Sequence, residues 1–338
     1  MEGSPEADPG AGSGVVGCPH GPVPGACVLG NRLRKAENDA GEPKKKERSD
    51  AVGRARAAGA GQGMKFAVGS LCGRAGMSRQ SFYKARRQRR RREVDADMVA
   101  QLVKAERMVQ PRLGGRKLHH MCKNALAEAG AGMGRDRFFE VLAERKLLLE
   151  PLPKRPQTTN SRHCLPVFTN RVKDMDVNAP NQAWAGDLTY VRTDEGFLYL
   201  SLLTDMCSRK IVGFHAGDTL ETEGCLNALA MALEQLPAGQ APVHHSDRGC
   251  QYCSHLYVGK AREHGLTISM TEENHCYENA LAERVNGILK QEYWLGGCFR
   301  TKAQALAAVA EAVWLYNNRR PHLALNYKTP EEVHQRAA

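Results

Sequence analysis

The segment from residue 183 to residue 270 constrains the fold of this chain more than any other part of it. Within it, residues 197–203 are nearly all apolar, as in a strand that is buried on both faces. Short turns separate this strand from one predicted on either side, which indicates an antiparallel meander. Helix and strand then alternate, which requires parallel pairing through right-handed crossovers. Strands are predicted at residues 183–192, 197–203, 210–216, 241–245 and 266–270, and helices at residues 222–236 and 254–264.

This order of elements predicts a mixed five-stranded sheet with helices on both faces, which is the ribonuclease H type of α/β architecture. Two more helices are predicted after the sheet, at about residues 279–292 and 302–318. The chain has 338 residues, and its hydrophobic fraction of 42 % is enough to bury a core over most of that length. At roughly 150 residues per domain, it has room for about two domains.

Composition also narrows the class of partner. The formal net charge is +11, which in a water-soluble chain favours a polyanionic partner such as nucleic acid. The 11 cysteines are odd in number and irregularly spaced, so we expect reduced thiols in a cytoplasmic protein rather than a disulfide framework. No apolar run approaches the length of a membrane span, and the first ten residues lack the apolar core of a secretory signal. We therefore expect no contact with a membrane.

Changes in composition along the chain predict four segments. Residues 1–63 are rich in Gly, Ala and charge and poor in large apolar side chains, so they are expected to be a disordered extension, or even a misassigned start. Residues 64–150 are predicted to be an all-helical DNA-binding region. Residues 151–179 are predicted to be a linker with prolines near its start, and residues 180–338 the α/β core with its C-terminal helix.

A helix-turn-helix is predicted at the start of the helical region. Apolar residues recur at helical spacing before a turn at Gly76, and Ser78 is the expected N-cap of the second helix. That helix continues into residues 84–92, of which seven are basic. The bland alternative is a helical hairpin with a solvated charged tail, and residues 95–146 are either a second DNA-binding unit or a plain three-helix module. The predicted DNA contacts in this region are Arg79, Gln80, Lys84, Arg86 and Arg87.

Three acidic residues of the core are candidates for catalysis. Asp187 lies in the middle of the first strand, where a carboxylate is costly unless it is paired or bound to a metal ion. Asp247 directly follows the fourth strand, and α/β sheets bind ligands at the carboxyl ends of their parallel strands. Glu283 lies on a predicted helix, opposite its apolar side and on the same face as Lys290. A fourth acid, Asp205, ends the second strand and is expected to cap the turn that follows.

Carboxylates in a protein that binds a polynucleotide suggest divalent metal ions, because Mg²⁺ prefers oxygen ligands and shares them with substrate phosphates. Two ions about 3.5–4 Å apart can hold the attacking and leaving oxygens of an in-line displacement. Asp187 would bridge the two ions, with Asp247 on one and Glu283 on the other, while Lys290 would contact phosphate. The structural alternatives are an Asx turn for Asp247 and a solvated helix position for Glu283.

The remaining polar and aromatic residues of these segments are weaker candidates for a functional role. A zinc site is the less favoured interpretation of the cysteines and histidines near the fourth strand, because the acidic site at Asp247 explains that segment better. Its ligands would be drawn from Cys250, Cys253, His244, His245, His275 and Cys276. Histidines that are hydrogen-bonded beside a strand end are the safer interpretation of His244 and His245, and Trp184 and Tyr190 are expected to be packing residues.

Four ordered blocks of sequence carry a family resemblance. Residues 184–190, residues 244–252 and residues 279–290 are similar to the three catalytic blocks of bacterial insertion-sequence transposases with a retroviral-integrase-type core. The 35 residues between Asp247 and Glu283 match the spacing of the D,D,E class, and residues 316–325 resemble the C-terminal signature of the OrfB type in the IS3 family. Within that signature, contact with the DNA backbone and capping of a helix end against the core are both plausible roles for Arg319 and Arg320.

The resemblance implies an enzyme that depends on Mg²⁺, with Mn²⁺ as a substitute, and that cuts and joins double-stranded DNA at the terminal inverted repeats of a mobile element. It also implies a homo-oligomer on DNA, associated with the nucleoid, and leaves open a first-frame partner protein. Two other classes of function stay open at this point. One is a DNA-binding protein whose catalytic core has decayed, and the other is a purely hydrolytic nuclease of the ribonuclease H type.

Overall fold

The computed structural model describes residues 45–61, 67–150, 165–272 and 279–336. In chain order, the elements before the sheet are the helices α1 Lys45–Gly61, α2 Val68–Arg74, α3 Arg79–Val109, α4 Gly115–Glu128 and α5 Arg135–Glu144. The sheet region comprises β1 Ala183–Thr193, β2 Gly196–Asp205, β3 Ile211–Gly217, α6 Thr222–Glu234, β4 Val243–Ser246, α7 Cys250–Cys253, α8 His255–Glu263 and β5 Thr267–Met270. It is followed by α9 Ala280–Glu292, β6 Cys298–Phe299, α10 Lys302–Asn318, a 3₁₀ turn at Leu323–Leu325 and α11 Pro330–Arg336.

The sheet has the strand order β3-β2-β1-β4-β5, with antiparallel pairs in the meander and parallel pairs between β1, β4 and β5. This confirms the predicted mixed five-stranded sheet and its ribonuclease H-like architecture. A sixth strand, β6, has only two residues and pairs in parallel with the end of β1, at Arg192 and Thr193. The sequence did not indicate it, because two residues carry no periodicity.

Helices cover both faces of the sheet, and alternate residues of each strand enter different cores. Leu200 and Leu202 face the side of α9 and α10, whereas Trp184 and Leu203 pack on the side of α6 and α8. Gly213 of β3 allows α6 to lie close to the sheet, since a Cβ atom there would lie 2.1 Å from the Ala228 carbonyl oxygen. The sheet and these helices therefore form three layers around β1, the central strand.

The strand β2 departs from the prediction at its beginning. Phe197 is 46 % exposed, and Tyr199 is only partly buried, whereas Leu200 and the residues after it are buried. The helices of one layer therefore cover only the later part of this strand, and the expected burial on both faces fails at its first residues.

The chain divides into two compact units, Met1–Arg92 and Glu93–Ala338. Within the first unit, α2 and the start of α3 are joined by a turn in which Gly76 has a φ of 62°. The Ser78 hydroxyl accepts a hydrogen bond from the Ser81 amide at 3.1 Å, as expected of an N-cap. Two helices joined by a turn thus stand where the helix-turn-helix was predicted.

Helix α1 contradicts part of the disorder expected for residues 1–63. Val52 is 2 % exposed and packs against Cys72 and Phe82, and Arg89 forms an ion pair with Asp50. The segment lacks apolar side chains of its own for a core, but it can order by covering those of the next two helices. The rest of the predicted extension, residues 1–44 and 62–63, lies outside the described residues.

The second unit contains α4 and α5 together with the sheet, so the boundary between compact units does not fall at the predicted residue 150. Val99, Leu118 and Phe138 are fully buried in a core shared by the end of α3, α4 and α5. This arrangement fits the three-helix packing alternative for residues 95–146. Of the predicted linker, residues 151–164 lie outside the described residues, and the part from Leu165 to Phe168 packs against the sheet region. None of the described helices is both long and apolar enough to cross a lipid bilayer.

Candidate active site

Asp187 lies on β1 at the point where the strand loses one of its neighbours. Pairing of β1 with β4 ends at Gly186 and Ser246, whereas pairing with β2 continues. One carboxylate oxygen of Asp187 accepts a hydrogen bond from Asn286 Nδ2 at 2.6 Å, and the other accepts one from the Leu188 amide at 2.9 Å. The carboxylate is thus held in place at an open stretch of the central strand.

The electrostatic surroundings of Asp187 bring the three predicted acids together. Burial raises its pKa to about 7, and the charges of Asp247 and Glu283 also raise it, outweighing the hydrogen bonds from Asn286 and Leu188. The charges of both acids act on Asp187, so the three predicted carboxylates share one electrostatic environment. Burial and these charges together disfavour the ionised form of Asp187.

Asp247 follows β4, as predicted, and is partly buried. Its Oδ1 accepts a hydrogen bond from the Gly249 amide at 3.0 Å, which is the Asx turn considered for it. This bond orients the carboxylate and leaves it near Asp187, so the structural and the functional interpretation are compatible.

Helix α9 carries Glu283 in its first turn, on an exposed position. Two amide side chains on either side of it fix the helix to β1: Asn279 Nδ2 donates to the Gly186 carbonyl at 3.2 Å, and Asn286 donates to Asp187. The Oδ1 atoms of both amides are buried, and neither has a hydrogen-bond partner within the described part of the chain. Sequence periodicity places these amides beside Glu283, but it does not show that they bond to β1.

The donor set fits divalent cations. Its carboxylate oxygens are ligands that Mg²⁺ prefers, and a cation would relieve the repulsion that raises the pKa of Asp187. Among the described residues, no group of three or more His, Cys, Asp or Glu side chains is placed so that it could hold a metal ion by itself. Mg²⁺ keeps several waters and shares substrate phosphates, so its binding at these carboxylates would depend on ligands from outside the protein.

Asp205, the competing acid, has the predicted capping role. It is fully buried, and its carboxylate accepts hydrogen bonds of 2.7 Å from the Ser208 amide, the Ser208 hydroxyl and the Asn181 amide. All of its described bonds serve the turn after β2 and the entry to β1. This confirms that Asp205 is not part of the acidic cluster.

The two histidines at the end of β4 are hydrogen-bonded within the core. His244 Nε2 lies 2.9 Å from the Tyr257 hydroxyl, and His245 Nδ1 lies 2.9 Å from the Ser269 hydroxyl. Burial, together with the charge of the neighbouring His245, lowers the pKa of His244 to about 3, so the ring stays neutral. Both residues therefore fit the interpretation as packed histidines.

The two described cysteines of the proposed zinc site differ in solvent exposure. Cys250 is exposed, whereas Cys253 is buried with its Sγ 3.6 Å from Met270 Sδ. The other candidates from the loop before α9, His275 and Cys276, lie outside the described residues.

Several known proteins resemble this chain in sequence. Two family models, each described as an integrase core domain, match residues 177–276 and 264–330. A 31 kDa protein of insertion element IS600 from Shigella sonnei is 35 % identical over 278 residues, which are 79 % of this chain and 100 % of that protein. The transposase InsF of insertion sequence IS3A from Escherichia coli K12 is 37 % identical over 172 residues, 50 % of this chain and 60 % of InsF.

The chain belongs to the IS3-type family of insertion-sequence transposases. It is accordingly a D,D,E-class polynucleotidyl transferase of DNA transposition, with an integrase-type core. Among solved structures, the catalytic core domain of HTLV-2 integrase in complex with magnesium has a TM-score of 0.38 and 21 % identity, and covers 46 % of this chain and 97 % of its own. A chain of the simian T-cell lymphotropic virus intasome has a TM-score of 0.41 and 21 % identity, over 65 % of this chain and 74 % of its own.

The transposase's C-terminal signature does not supply the predicted DNA contact at Arg320. This residue is 2 % exposed, and its Nε and Nη2 donate to the two carboxylate oxygens of Glu292 at 2.8 Å each. Arg319 is exposed and donates to Glu106 at 2.8 Å. The structure therefore favours the alternative role for Arg320, which is to fix the end of a helix against the core, whereas DNA contact by Arg319 stays a prediction. Their sequence is basic, but only packing shows which acids they meet.

The other predicted DNA contacts have different surroundings. Lys290 lies on α9, with its ammonium 4.8 Å from the centre of the Tyr190 ring. Trp184 is fully buried, as expected of a packing residue, but Tyr190 is 42 % exposed and is not one. In the first compact unit, the five predicted contacts are all exposed on α3 and stay predictions: Arg79, Gln80, Lys84, Arg86 and Arg87.

Proposed function

We propose that this transposase cuts and joins DNA at the ends of an insertion sequence, with Asp187, Asp247 and Glu283 as its metal ligands. The observation that carries the proposal is the carboxylate of Asp187. It lies at the open stretch of β1, it is held by Asn286, and its pKa is raised to about 7 by burial and by the other two acids. A carboxyl whose pKa is strongly raised by burial and by specific neighbouring acids is typical of a functional site.

Two divalent cations, Mg²⁺ or Mn²⁺, would supply activation of the nucleophile and stabilisation of the leaving oxygen when bound. Asp187 would bridge the two positions, Asp247 would contribute to one and Glu283 to the other. In the first reaction, a water oxygen would bond to the phosphorus at the element end as the water loses a proton, and the bond from phosphorus to the 3′ oxygen would break, with that oxygen taking up a proton to become a free 3′-hydroxyl. In the second, that 3′ oxygen attacks a phosphorus of target DNA and displaces a 3′ oxygen there.

No covalent bond between protein and DNA is needed in this sequence, because each displacement has its own oxygen nucleophile. Lys290 lies two helical turns after Glu283 on the same helix, so we infer that its ammonium contacts a phosphate next to the cleaved bond. The substrate is double-stranded DNA, both element ends and target. The assembly that acts on it is a homo-oligomer, with a first-frame partner as a possible additional component.

Strand transfer tests the proposal directly. The purified full-length protein is incubated with Mg²⁺ and labelled DNA that carries the element's own ends, and joined products are separated by size. Glu283→Gln is compared with Glu223→Gln, since Glu223 is likewise an exposed acid in the first turn of a helix, α6. We expect joined products from the wild type and from Glu223→Gln, and none from Glu283→Gln.

Other results would identify the alternatives. Binding to the ends without cleavage, even after a first-frame partner is added, would favour a DNA-binding protein with a decayed core. Cleavage without joining would favour a hydrolytic nuclease. Joined products from Glu283→Gln at the wild-type rate would remove that residue from the site.

A further inference from the structure

The hairpin of β1 and β2 exposes aromatic side chains on one of its faces. Tyr190 is 42 % exposed and Phe197 is 46 % exposed, and their rings meet edge to face with centroids 5.6 Å apart. The alternating residues Val191 and Leu198 are each 1 % exposed, within the core on the other face. The same two strands therefore bury one face fully and present a pair of aromatic rings on the other. We call Tyr190 and Phe197 the aromatic pair.

Tyr190 follows Asp187 on β1 but points to the opposite face of the sheet, and Lys290 of α9 links the aromatic pair to the acidic cluster. Strand β4 pairs with β1 as far as Gly186, and β6 pairs with it from Arg192 onward. In the part of the chain that the structure describes, no strand pairs with the stretch between them on that side, and this stretch begins with Asp187. Lys290 of α9 shares a helix face with Glu283, and its ammonium lies 4.8 Å from the centre of the Tyr190 ring.

The chemistry of this surface fits a nucleic acid strand with unpaired bases. Every base has a flat π face that can stack on an exposed aromatic ring, and open sheet faces with such rings are a recurring platform for single strands. The ammonium of Lys290 beside the ring and the exposed Arg192 next to it add positive charge for the phosphates. The two cations attract a polyanion more strongly than they attract a typical protein surface, so nucleic acid is the favoured occupant.

We propose that Tyr190 and Phe197 stack against unpaired bases at the end of the DNA strand that is processed at Asp187, while Lys290 contacts a neighbouring phosphate. The inference rests on the proposed function, because it assigns the occupant of a surface beside that site. It implies that the transposase holds a frayed or single-stranded end more tightly than a fully paired one.

The test measures binding without cleavage, so that it does not depend on catalysis. Fluorescence anisotropy in Ca²⁺ compares a short labelled duplex that has an unpaired overhang with the same duplex made blunt. The variants of the full-length protein are Tyr190→Ala, Phe197→Ala and the conservative Tyr190→Phe. Trp314→Ala is the matched control, because Trp314 is an aromatic residue with 59 % exposure on α10.

We expect Tyr190→Ala and Phe197→Ala to weaken binding of the overhang duplex by roughly tenfold each, which is the loss of about one stacked base. Binding of the blunt duplex should stay within about twofold of the wild type, as should Tyr190→Phe and Trp314→Ala on both DNAs. Since Tyr190→Phe keeps the ring, its wild-type affinity would separate stacking from a contact made by the hydroxyl.

Three results would overturn the inference. Equal weakening on both duplexes would mean that the surface contacts paired DNA, and unchanged binding would mean that it contacts no DNA. A change in molecular mass of Tyr190→Ala in analytical ultracentrifugation would make the aromatic pair an interface between copies of the chain.

Photocrosslinking from an iodinated base in the overhang gives a second readout on the wild type, and the proposal requires the crosslink to map to Tyr190 or Phe197. Strand transfer that fails while these binding results hold would count against the catalytic proposal alone.

Discussion

Replacing Arg320 with Met tests whether this residue of the C-terminal signature stabilises the fold or binds DNA. Its guanidinium is 2 % exposed and donates two hydrogen bonds of 2.8 Å to Glu292, the last residue of α9. Lys117 of α4 also donates to that carboxylate, at 3.1 Å, so one partly buried acid serves two buried cations. Glu292 offsets the cost of burying the charge of Arg320 more fully than it offsets the cost of burying the charge of Lys117.

For Arg320, burial alone would lower the pKa, but the hydrogen bonds and charge of Glu292 raise it above its ordinary value. For Lys117, burial and the charge of Arg320 lower the pKa to about 8, against the attraction of Glu292. Breaking a buried ion pair costs about 3–5 kcal/mol, because a charge is left uncompensated. Since Lys117 stays beside Glu292 in Arg320→Met, we expect the lower end, about 3 kcal/mol. Lys117→Met removes a charge that burial disfavours and should cost about 1 kcal/mol or less at pH 7.

Urea unfolding followed by circular dichroism measures both variants. With an m-value of about 2–3 kcal/mol/M, Arg320→Met should lower the midpoint by about 1 M, and Lys117→Met should change it little. The pKa of Lys117 also sets a pH dependence. The unfolded chain holds more protons on this residue between pH 8 and 10.5, so its contribution to stability rises with pH across that window and disappears in Lys117→Met. The reasoning is refuted if Arg320→Met keeps the wild-type midpoint while it weakens DNA binding and flattens its salt dependence.

Three further predictions concern the sheet and the acidic cluster. Gly213→Ala should destabilise the fold by about 3 kcal/mol in thermal unfolding, because its Cβ would lie 2.1 Å from the Ala228 carbonyl oxygen, whereas Gly287→Ala on α9, with open space around it, should gain up to about 1 kcal/mol. Asn286→Ala removes the 2.6 Å hydrogen bond to Asp187, so the pH–rate profile of cleavage should shift to higher pH; an unshifted profile would deny that bond a role. Because burial and neighbouring acids raise the pKa of Asp187 to about 7, this residue holds more protons in the metal-free folded protein than in the unfolded chain, so its contribution to stability should fall as pH rises from about 4 to about 7; the urea midpoint of Asp187→Asn, measured against that of the wild type, should therefore rise relative to it across that window.

Local patterns in the sequence were enough to predict the sheet and the acids. The meander and the later alternation of helix and strand predicted five strands, with antiparallel pairing in the meander and parallel pairing after it, since turn lengths and crossover handedness leave few topologies. The spatial order of the strands comes from the structure. The same patterns placed Asp187 within a strand, Asp247 after another and Glu283 on a polar helix face. The capping role of Asp205 followed from its position before a turn.

Contacts between residues far apart in sequence were beyond these patterns. The burial of Arg320 depends on Glu292 and Lys117, and the exposure of Tyr190 depends on where the helices of one layer end. The order of α1 likewise depends on the apolar side chains of two later helices, which a composition argument on its own segment does not include.

The sequence by itself determined which segments become strands or helices and which acids stand at their ends, because period and turn chemistry act over a few residues. Only the tertiary structure decided which charges are compensated and which side chains are left exposed. Arg320 pairs with an acid 28 residues away, and Asp187 is opposed by two acids that come from β4 and α9. Desolvation and charge repulsion depend on the distances that packing sets between such residues, and no local pattern encodes those distances.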